Sequence, residues 1–203
     1  MRLALVILLV TVACGGPPRV RAPIREYPGA LVPSEELRSL LGESFALDQQ
    51  VTSESEHGRH EFRAVLQRHA GELVLVGLGP HGGRGFVLTQ RGTEVDFESH
   101  LPEELPFPPR YMLLDVQRTF FRGLGGVRED GEHRETIDGE EVVERWSQGR
   151  LLSRIYRRAE GELRIEYEGG MGEGDAPALV RLDNGFFGYR LTIRTHSLTP
   201  IPD

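Results

Sequence analysis

The chain has 203 residues, a formal net charge of −7, and a composition that is 38% hydrophobic and 27% charged. This balance predicts one globular domain with tails and excludes wholesale disorder. All 24 basic residues are arginine, which excludes a P-loop lysine and lysine Schiff-base chemistry. The negative charge argues against a nucleic-acid partner, and the single cysteine excludes an internal disulfide and a multi-cysteine zinc site.

The N-terminus predicts an export signal. A positive residue precedes the apolar run 3–10, which is far shorter than the roughly 20 residues needed to span a membrane. The segment that ends in Cys14 resembles the lipobox of bacterial lipoproteins, with Thr11 in place of the preferred leucine. We therefore expect residues 1–13 to be a signal peptide cleaved between Ala13 and Cys14, with Cys14 as the lipid attachment site. The alternative is an ordinary cleaved signal whose cysteine is accidental.

Gly15 follows the cysteine, where an aspartate would resemble an inner-membrane retention signal. By that analogy we expect a lipid-anchored protein on the periplasmic face of the outer membrane. Residues 14–33 then predict a lipidated N-terminus and a proline-rich tether, because five prolines disfavour regular structure there. The alternative is a segment that packs along the domain, anchored by Val20, Ile24 and Tyr27.

The domain is expected to occupy residues 34–203. Residues 34–42 predict a short helix, because Ser34 suits an N-cap, acids follow it, leucines recur at helical spacing and Gly42 suits its end. The pattern then changes to period two, with glycines about ten residues apart, as in hairpin-connected antiparallel strands. The face-sharing groups are Phe45/Leu47/Gln49/Val51, Phe62/Ala64/Leu66, Phe86/Leu88 and Val95/Phe97.

A central amphipathic helix is predicted over residues 110–121, after a proline-rich stretch and before the glycines of 123–126. Its apolar stripe contains Met112, Leu113, Val116 and Phe120, whereas Arg110, Asp115, Arg118 and Arg122 lie mostly away from that stripe. After the helix, the alternation of period two resumes and continues to the end of the chain.

These elements predict a mainly β (α+β) domain without βαβ units. About ten to eleven antiparallel strands would form a curved half-barrel wrapped over the central helix. A closed up-and-down barrel is the alternative. In either case the inward face of the sheet leaves room for an apolar ligand.

Three stretches carry a family resemblance. Residues 75–86, with Gly79-Pro80-His81-Gly82, resemble the strand-turn-strand of LolB-like lipoprotein receptors. Residues 111–117 and the closing segment 181–193 resemble a related family of bacterial outer-membrane lipoproteins of unknown function, often encoded near aryl-polyene or fatty-acid-type synthesis genes. The resemblance implies a LolA/LolB-like half-barrel with an apolar cavity for acyl chains. His81 stands where the receptors carry a membrane-inserting hydrophobic residue, which puts lipoprotein insertion in doubt.

Candidate chemistry is sparse. His57, His60 and His69 could share a metal by spacing, but their polar surroundings favour a solvated hairpin tip. Glu140, Glu141 and Glu144 could act as acid–base carboxylates, but a solvent-facing strand edge is the simpler interpretation. We therefore expect no catalytic residues, no metal site and no cofactor.

The sequence predicts a non-catalytic lipoprotein that binds or transfers an acyl-type hydrophobic ligand. Its partners would be the membrane, this ligand and a periplasmic carrier protein. The alternative is a structural or assembly lipoprotein that docks to a partner protein through a filled core. The predicted ligand-lining residues are Leu75, Phe86, Met112, Val116, Phe120, Trp146, Ile155, Ile165 and Leu191.

Overall fold

The computed structural model describes residues 26–56, 58–79, 82–101, 105 and 107–202. Its elements in chain order are β1 (Phe45–Ser55), β2 (Gly58–His69), β3 (Glu72–Leu78), β4 (Arg84–Arg91), β5 (Glu94–Ser99), α1 (Arg110–Phe120), β6 (Gly131–Ile137), β7 (Glu140–Ser147), β8 (Arg150–Arg158), β9 (Gly161–Met171), β10 (Leu179–Asn184) and β11 (Tyr189–Pro200). These eleven strands form one curved antiparallel sheet in the order β5-β4-β3-β2-β1-β11-β10-β9-β8-β7-β6. The predicted fold class is confirmed.

The sheet is open. Strands β5 and β6 stand at opposite ends of the strand order, while β1 pairs with β11 in the middle and joins two meanders. The closed barrel, which was the alternative expectation, is therefore wrong. Because each meander contributes one side of the curve, residues from both halves of the chain meet across the concave face.

Short hairpins give the meander its regularity. In the β2–β3 connection, Ala70 and Gly71 both have positive φ, at 50° and 77°. The β6–β7 connection, Asp138 and Gly139, repeats this geometry with φ values of 52° and 73°. Two successive positive φ angles are the signature of the type I′ turn, whose twist matches that of the flanking strands.

The central helix is confirmed within a residue of its expected end. It lies on the concave face of the sheet, and Leu113, Leu114 and Phe120 belong to the main hydrophobic core. Asp115 and Arg118, which lie away from the apolar stripe, are also buried. Within the described residues, no helix is long and apolar enough to cross a membrane.

The predicted helix at residues 34–42 is wrong, since that segment forms turns. Ser34 exchanges hydrogen bonds with the backbone of Gly92 in the β4–β5 turn, at 3.0 Å each. Ser39 donates its hydroxyl to the Phe120 carbonyl of α1 at 2.8 Å. The polar groups that a helix would use locally are therefore used in tertiary contacts, while the leucines of the segment still reach the core.

Gly77 in β3 provides a test of the packing. The Phe86 ring lies directly over it, and a Cβ at position 77 would overlap that ring. We expect Gly77→Ala to lower the free energy of unfolding by about 1–3 kcal/mol, as overpacked core substitutions do. Gly83→Ala is the matched control, because a Cβ there meets nothing within 4 Å. Equal denaturant midpoints for the two variants would contradict this packing.

Candidate functional site

Residues 27–41 lie across α1 and complete its burial. The Arg118 guanidinium donates to the Pro28 carbonyl at 2.7 Å. The backbone of Val32 exchanges two hydrogen bonds with the side-chain amide of Gln117, both at 3.0 Å. The helix is consequently held between the sheet on one side and an irregular segment on the other.

This segment moves the start of the packed domain. Tyr27 is buried and its ring meets that of Tyr111 edge-on, with centroids 5.4 Å apart. Within the described residues, the last part of the expected tether, from Tyr27 onward, is therefore packed against the domain. The earlier part of the tether, Val20 and Ile24 included, lies outside the described residues.

A buried carboxylate links this segment to the sheet and the helix. The Tyr27 and Tyr189 hydroxyls both donate to Asp115, and Asn184 donates its amide to both hydroxyl oxygens, at 2.8 and 2.9 Å. Burial raises the pKa of Asp115 to about 6, against the opposing effects of the two tyrosine hydrogen bonds and the Arg118 charge. Burial and the nearby carboxylate raise the pKa of each tyrosine well above its ordinary value.

Side chains from the sheet satisfy the last carbonyls of α1. The last four carbonyls of a helix have no partner within the helix, and leaving them buried without one is costly. The contacts are Arg154 Nη1 and Tyr156 Oη to the Arg118 carbonyl, Tyr167 Oη to Thr119 and Ser39 Oγ to Phe120, at 2.8–3.1 Å. The C-terminal end of the helix is thereby fixed to β8, β9 and the N-terminal segment.

Two buried ion pairs complete this region. Arg118 bonds Glu140 at 2.8 Å, and Arg154 bonds Glu144 at 2.7 Å. Burial would raise the pKa of Glu144, but the Arg154 charge and the hydrogen bond from Trp146 outweigh that effect, so this pKa lies below its ordinary value. Partnered charges of this kind are tolerated in a core, whereas removing one partner strands the other.

The expectation that Glu140 and Glu144 face solvent at a strand edge is therefore wrong. Both side chains point to the concave face, and of the three glutamates only Glu141 pairs outward, with Arg134 at 3.0 Å. The sequence carried no signal for this burial, because the arginine partners lie 22 and 10 residues away along the chain. Glu140 bonds Arg118 of the helix itself. Glu144 bonds Arg154, which donates to the Arg118 carbonyl of the helix.

The half of the concave face formed by β1–β5 is mainly apolar, and the solvent exposure of its side chains increases along the strands. In β1, Phe45 and Leu47 are 0% exposed, whereas Val51 is 7% exposed. In β3 the value rises from 0% at Leu73 to 8% at Leu75. The half-barrel is thus sealed at one end of these strands and less tightly covered at the other.

Neighbouring strands follow the same gradient. The register pairs Val51 with Phe62 of β2 and with Ile193 of β11, and Phe62 is only partly buried. The ring of Phe121, just after α1, stacks on Phe45 at 6.0 Å, so the C-terminal end of the helix lies at the sealed end. Its N-terminal half therefore lies toward the less covered end, where Met112 and Val116 are partly buried. We call this end the mouth, formed by Val51, Phe62, Leu75, Phe86, Met112, Val116, Leu191 and Ile193.

The predicted ligand-lining residues divide into three groups: five at the mouth, three in the sealed core, and Ile155, which lies on the convex face. Leu75, Phe86, Met112, Val116 and Leu191 meet at the mouth. Phe120, Trp146 and Ile165 belong to the sealed core.

Ile155 is misplaced in the prediction. It lies on the convex face, opposite Val143 and Arg164, while its neighbours Arg154 and Tyr156 point to the helix. An irregularity between Leu151 and Ser153 shifts the alternation of β8, and this shift could not be read from period two.

Other expected features fall elsewhere. Ala13, Cys14, His57 and His81 lie outside the described residues. Within the described part of the chain, no group of three histidine, cysteine or acidic side chains is placed to hold a metal ion. A polar depression of about 350 Å³ lies on the convex face, lined by Gln50, Thr52, Glu54, Arg59, Glu61, Thr192 and Arg194.

The buried Asp115 predicts a pH dependence of stability. Its folded-state pKa of about 6 lies above the ordinary value of 3.8, so folding favours the protonated form. The resulting stability is complete below pH about 4 and is lost as pH rises through about 6, with a maximum near 3 kcal/mol. Asp115→Asn removes this contribution, so its free energy of unfolding should fall less between pH 4 and 7.5 than that of the wild type. Denaturant titrations at several pH values test this, and parallel pH profiles would contradict it.

Comparison with known proteins identifies the family. The fold is similar to that of a LolA superfamily protein from Nitrosomonas europaea (14% identity, 84% of this chain and 91% of that chain, TM-score 0.44). It is also similar to a putative outer membrane lipoprotein-sorting protein domain from Vibrio parahaemolyticus (9% identity, 77% and 85%, TM-score 0.45). No curated protein gave a significant match. The family model described as protein of unknown function (DUF3261) matches residues 46–197, and the chain belongs to this family.

Proposed function

We propose that this protein is a lipid-anchored periplasmic protein that binds the apolar chain of an acyl-type ligand at the mouth and does no covalent chemistry. The observation that carries this proposal is the apolar mouth itself. Apolar side chains of β1–β4, β11 and α1 converge there, and partly buried ones remain among them. Apolar concave sites of this kind bind small hydrophobic molecules.

The helix has the asymmetry that a lid at this site needs. Buried side chains fix its C-terminal carbonyls, as described above. Its first turn is packed by ring contacts, such as Tyr111 against Phe187 at 5.6 Å, and the Asp115 hydrogen bonds hold the following turn. In this proposal the first turn of α1 moves to admit the ligand, while the Asp115 hydrogen bonds and the contacts at the C-terminal carbonyls stay in place.

The anchoring part of the proposal rests on the sequence. Cys14 precedes Tyr27, the first buried residue of the described part of the chain, by thirteen positions. At roughly 3.5 Å per residue, a fully extended linker would span about 45 Å. A triacylated cysteine would hold the domain within that distance of the membrane, since one acyl chain alone binds weakly and several bind firmly.

Val116 gives a direct test of the mouth. In unlipidated protein (residues 14–203 with Cys14→Ser), Val116→Asp should bind the uncharged fluorescent probe N-phenyl-1-naphthylamine at least about tenfold more weakly, because a carboxylate in an apolar site is strongly disfavoured. Circular dichroism should show that the variant remains folded, since Val116 is only partly buried.

The matched control is Val127→Asp, which makes the same change at a residue that is 45% exposed and outside the hydrophobic core. This variant should bind the probe as the wild type does. Wild-type affinity in the folded Val116→Asp protein would contradict the proposed site.

Cys14 provides the second test. With no lipid attached, the full-length precursor that carries Cys14→Ser should leave the outer-membrane fraction. Sucrose-gradient fractionation followed by alkaline extraction measures this. An alkali-resistant Cys14→Ser protein in the outer membrane would contradict lipid anchoring at this residue.

The competing function is docking to a partner protein. The observation in its favour is the closed concave face, because α1 and residues 27–41 fill the space that a carrier would keep open. A protein of this type would bind no apolar probe at all. The probe titration therefore separates the two functions.

A further inference from the structure

Gln49 is a polar side chain without a partner at the inner limit of the mouth. It lies on the concave face of β1, between Leu47, which is sealed from solvent, and Val51, which belongs to the mouth. Gln49 is 3% exposed, and its Nε2 atom has no hydrogen-bond partner. Leaving a buried donor without a partner is energetically costly, so its presence in an apolar surface calls for a physical reason.

A second polar atom without a partner lies beside it. Thr195 of β11 is the register partner of Gln49, and its buried Oγ1 also has no hydrogen bond. Directly opposed residues place their Cβ atoms about 5 Å apart on the same face of the sheet. A bulge adjoins this pair, between Asp48 and Gln49, and aligns the glutamine with Thr195.

Small residues lie next to this pair on the concave face. Gln49 is opposite Ala64 on β2, which is in turn opposite Gly77 on β3. The row thus runs from two polar side chains to a methyl group and a glycine, with the Phe86 ring closing it over Gly77. No large side chain of this row therefore stands between Gln49 and the Phe86 ring.

The charge of the surroundings limits what the pair can bind. Arg68, the arginine of β2 that lies on the concave face, is two concave positions deeper than Ala64 and bonds the Glu43 carboxylate at 3.0 Å. The side chains that form the mouth are all apolar. An amide and a hydroxyl supply donors and acceptors without net charge, which suits a neutral hydroxyl or carbonyl group better than a carboxylate or phosphate.

We propose that Gln49, with Thr195, recognises a neutral hydroxyl or ester carbonyl on the acyl-type ligand held in the mouth. This inference rests on the proposed function of the mouth and adds the chemical class of its ligand. The apolar chain would lie against the residues of the mouth, and its polar group would meet the two atoms at the inner limit.

The test compares two ligands that differ by one hydroxyl group. Displacement of N-phenyl-1-naphthylamine from the unlipidated protein is measured with 1-decanol and with decane. Gln49→Leu, which keeps the approximate size of the side chain, should weaken 1-decanol about three- to tenfold, the value of one hydrogen bond, and leave decane unchanged. Thr195→Val should act in the same direction.

Gln50→Leu is the matched control. It makes the same change one residue away, on the convex face, and should leave the affinities for both compounds unchanged. Gln49→Leu should also unfold at the same denaturant concentration as the wild type or a higher one, because it removes a buried donor that had no partner.

The outcomes separate the two proposals. If the wild-type protein binds the probe and both compounds, but Gln49→Leu leaves the ratio of their affinities unchanged, the role of Gln49 is overturned and the apolar site stands. If the wild-type protein binds none of the three molecules, the proposed function and this inference both fail.

Discussion

The burial of α1 is the constraint on which the rest of the structure depends. An eleven-residue helix lies between a curved sheet and an irregular segment, and most of its side chains are buried, including Asp115, Gln117 and Arg118. A helix in this position must satisfy its polar side chains and its last carbonyls without water. Tyrosines, arginines and glutamates from β7–β9, with Tyr27 and Tyr189, supply these partners.

This demand divides the concave face into two chemically different halves. The polar groups that satisfy the helix come mainly from β7–β11 and the N-terminal segment. Strands β1–β5 carry a mainly apolar surface that is tightly packed at Phe45 and Leu73 and less covered at Val51 and Phe62. The buried polar contacts that hold the helix, beside an apolar mouth, therefore follow from how one helix is buried.

Much of the fold could be predicted from local sequence patterns. Period two located the strands, glycines marked the hairpins, and the stripe of Met112, Val116 and Phe120 located the helix, because these signals arise from neighbouring residues. The face shared by Phe45, Leu47, Gln49 and Val51 was assigned correctly from the same pattern.

The remaining features depend on residues far apart in the chain. Tyr27 and Asp115 are separated by 88 positions, so a segment with the composition of a tether became part of the core. Glu140 and Arg118 have the composition of surface residues, and only the topology brings them together. The segment at 34–42 has the local pattern of a helix, but its contacts with Gly92 and Phe120 determine its conformation.

The central claim is that the less covered apolar end of the half-barrel binds an apolar molecule. The most direct measurement is an amide chemical-shift map of the ¹⁵N-labelled unlipidated protein titrated with N-phenyl-1-naphthylamine. The account predicts saturable shifts at Val51, Phe62 and Ile193, with little change at Phe45 and Leu73. Shifts centred on the convex residues Gln50, Thr52 and Thr192, or no saturable shifts, would contradict it.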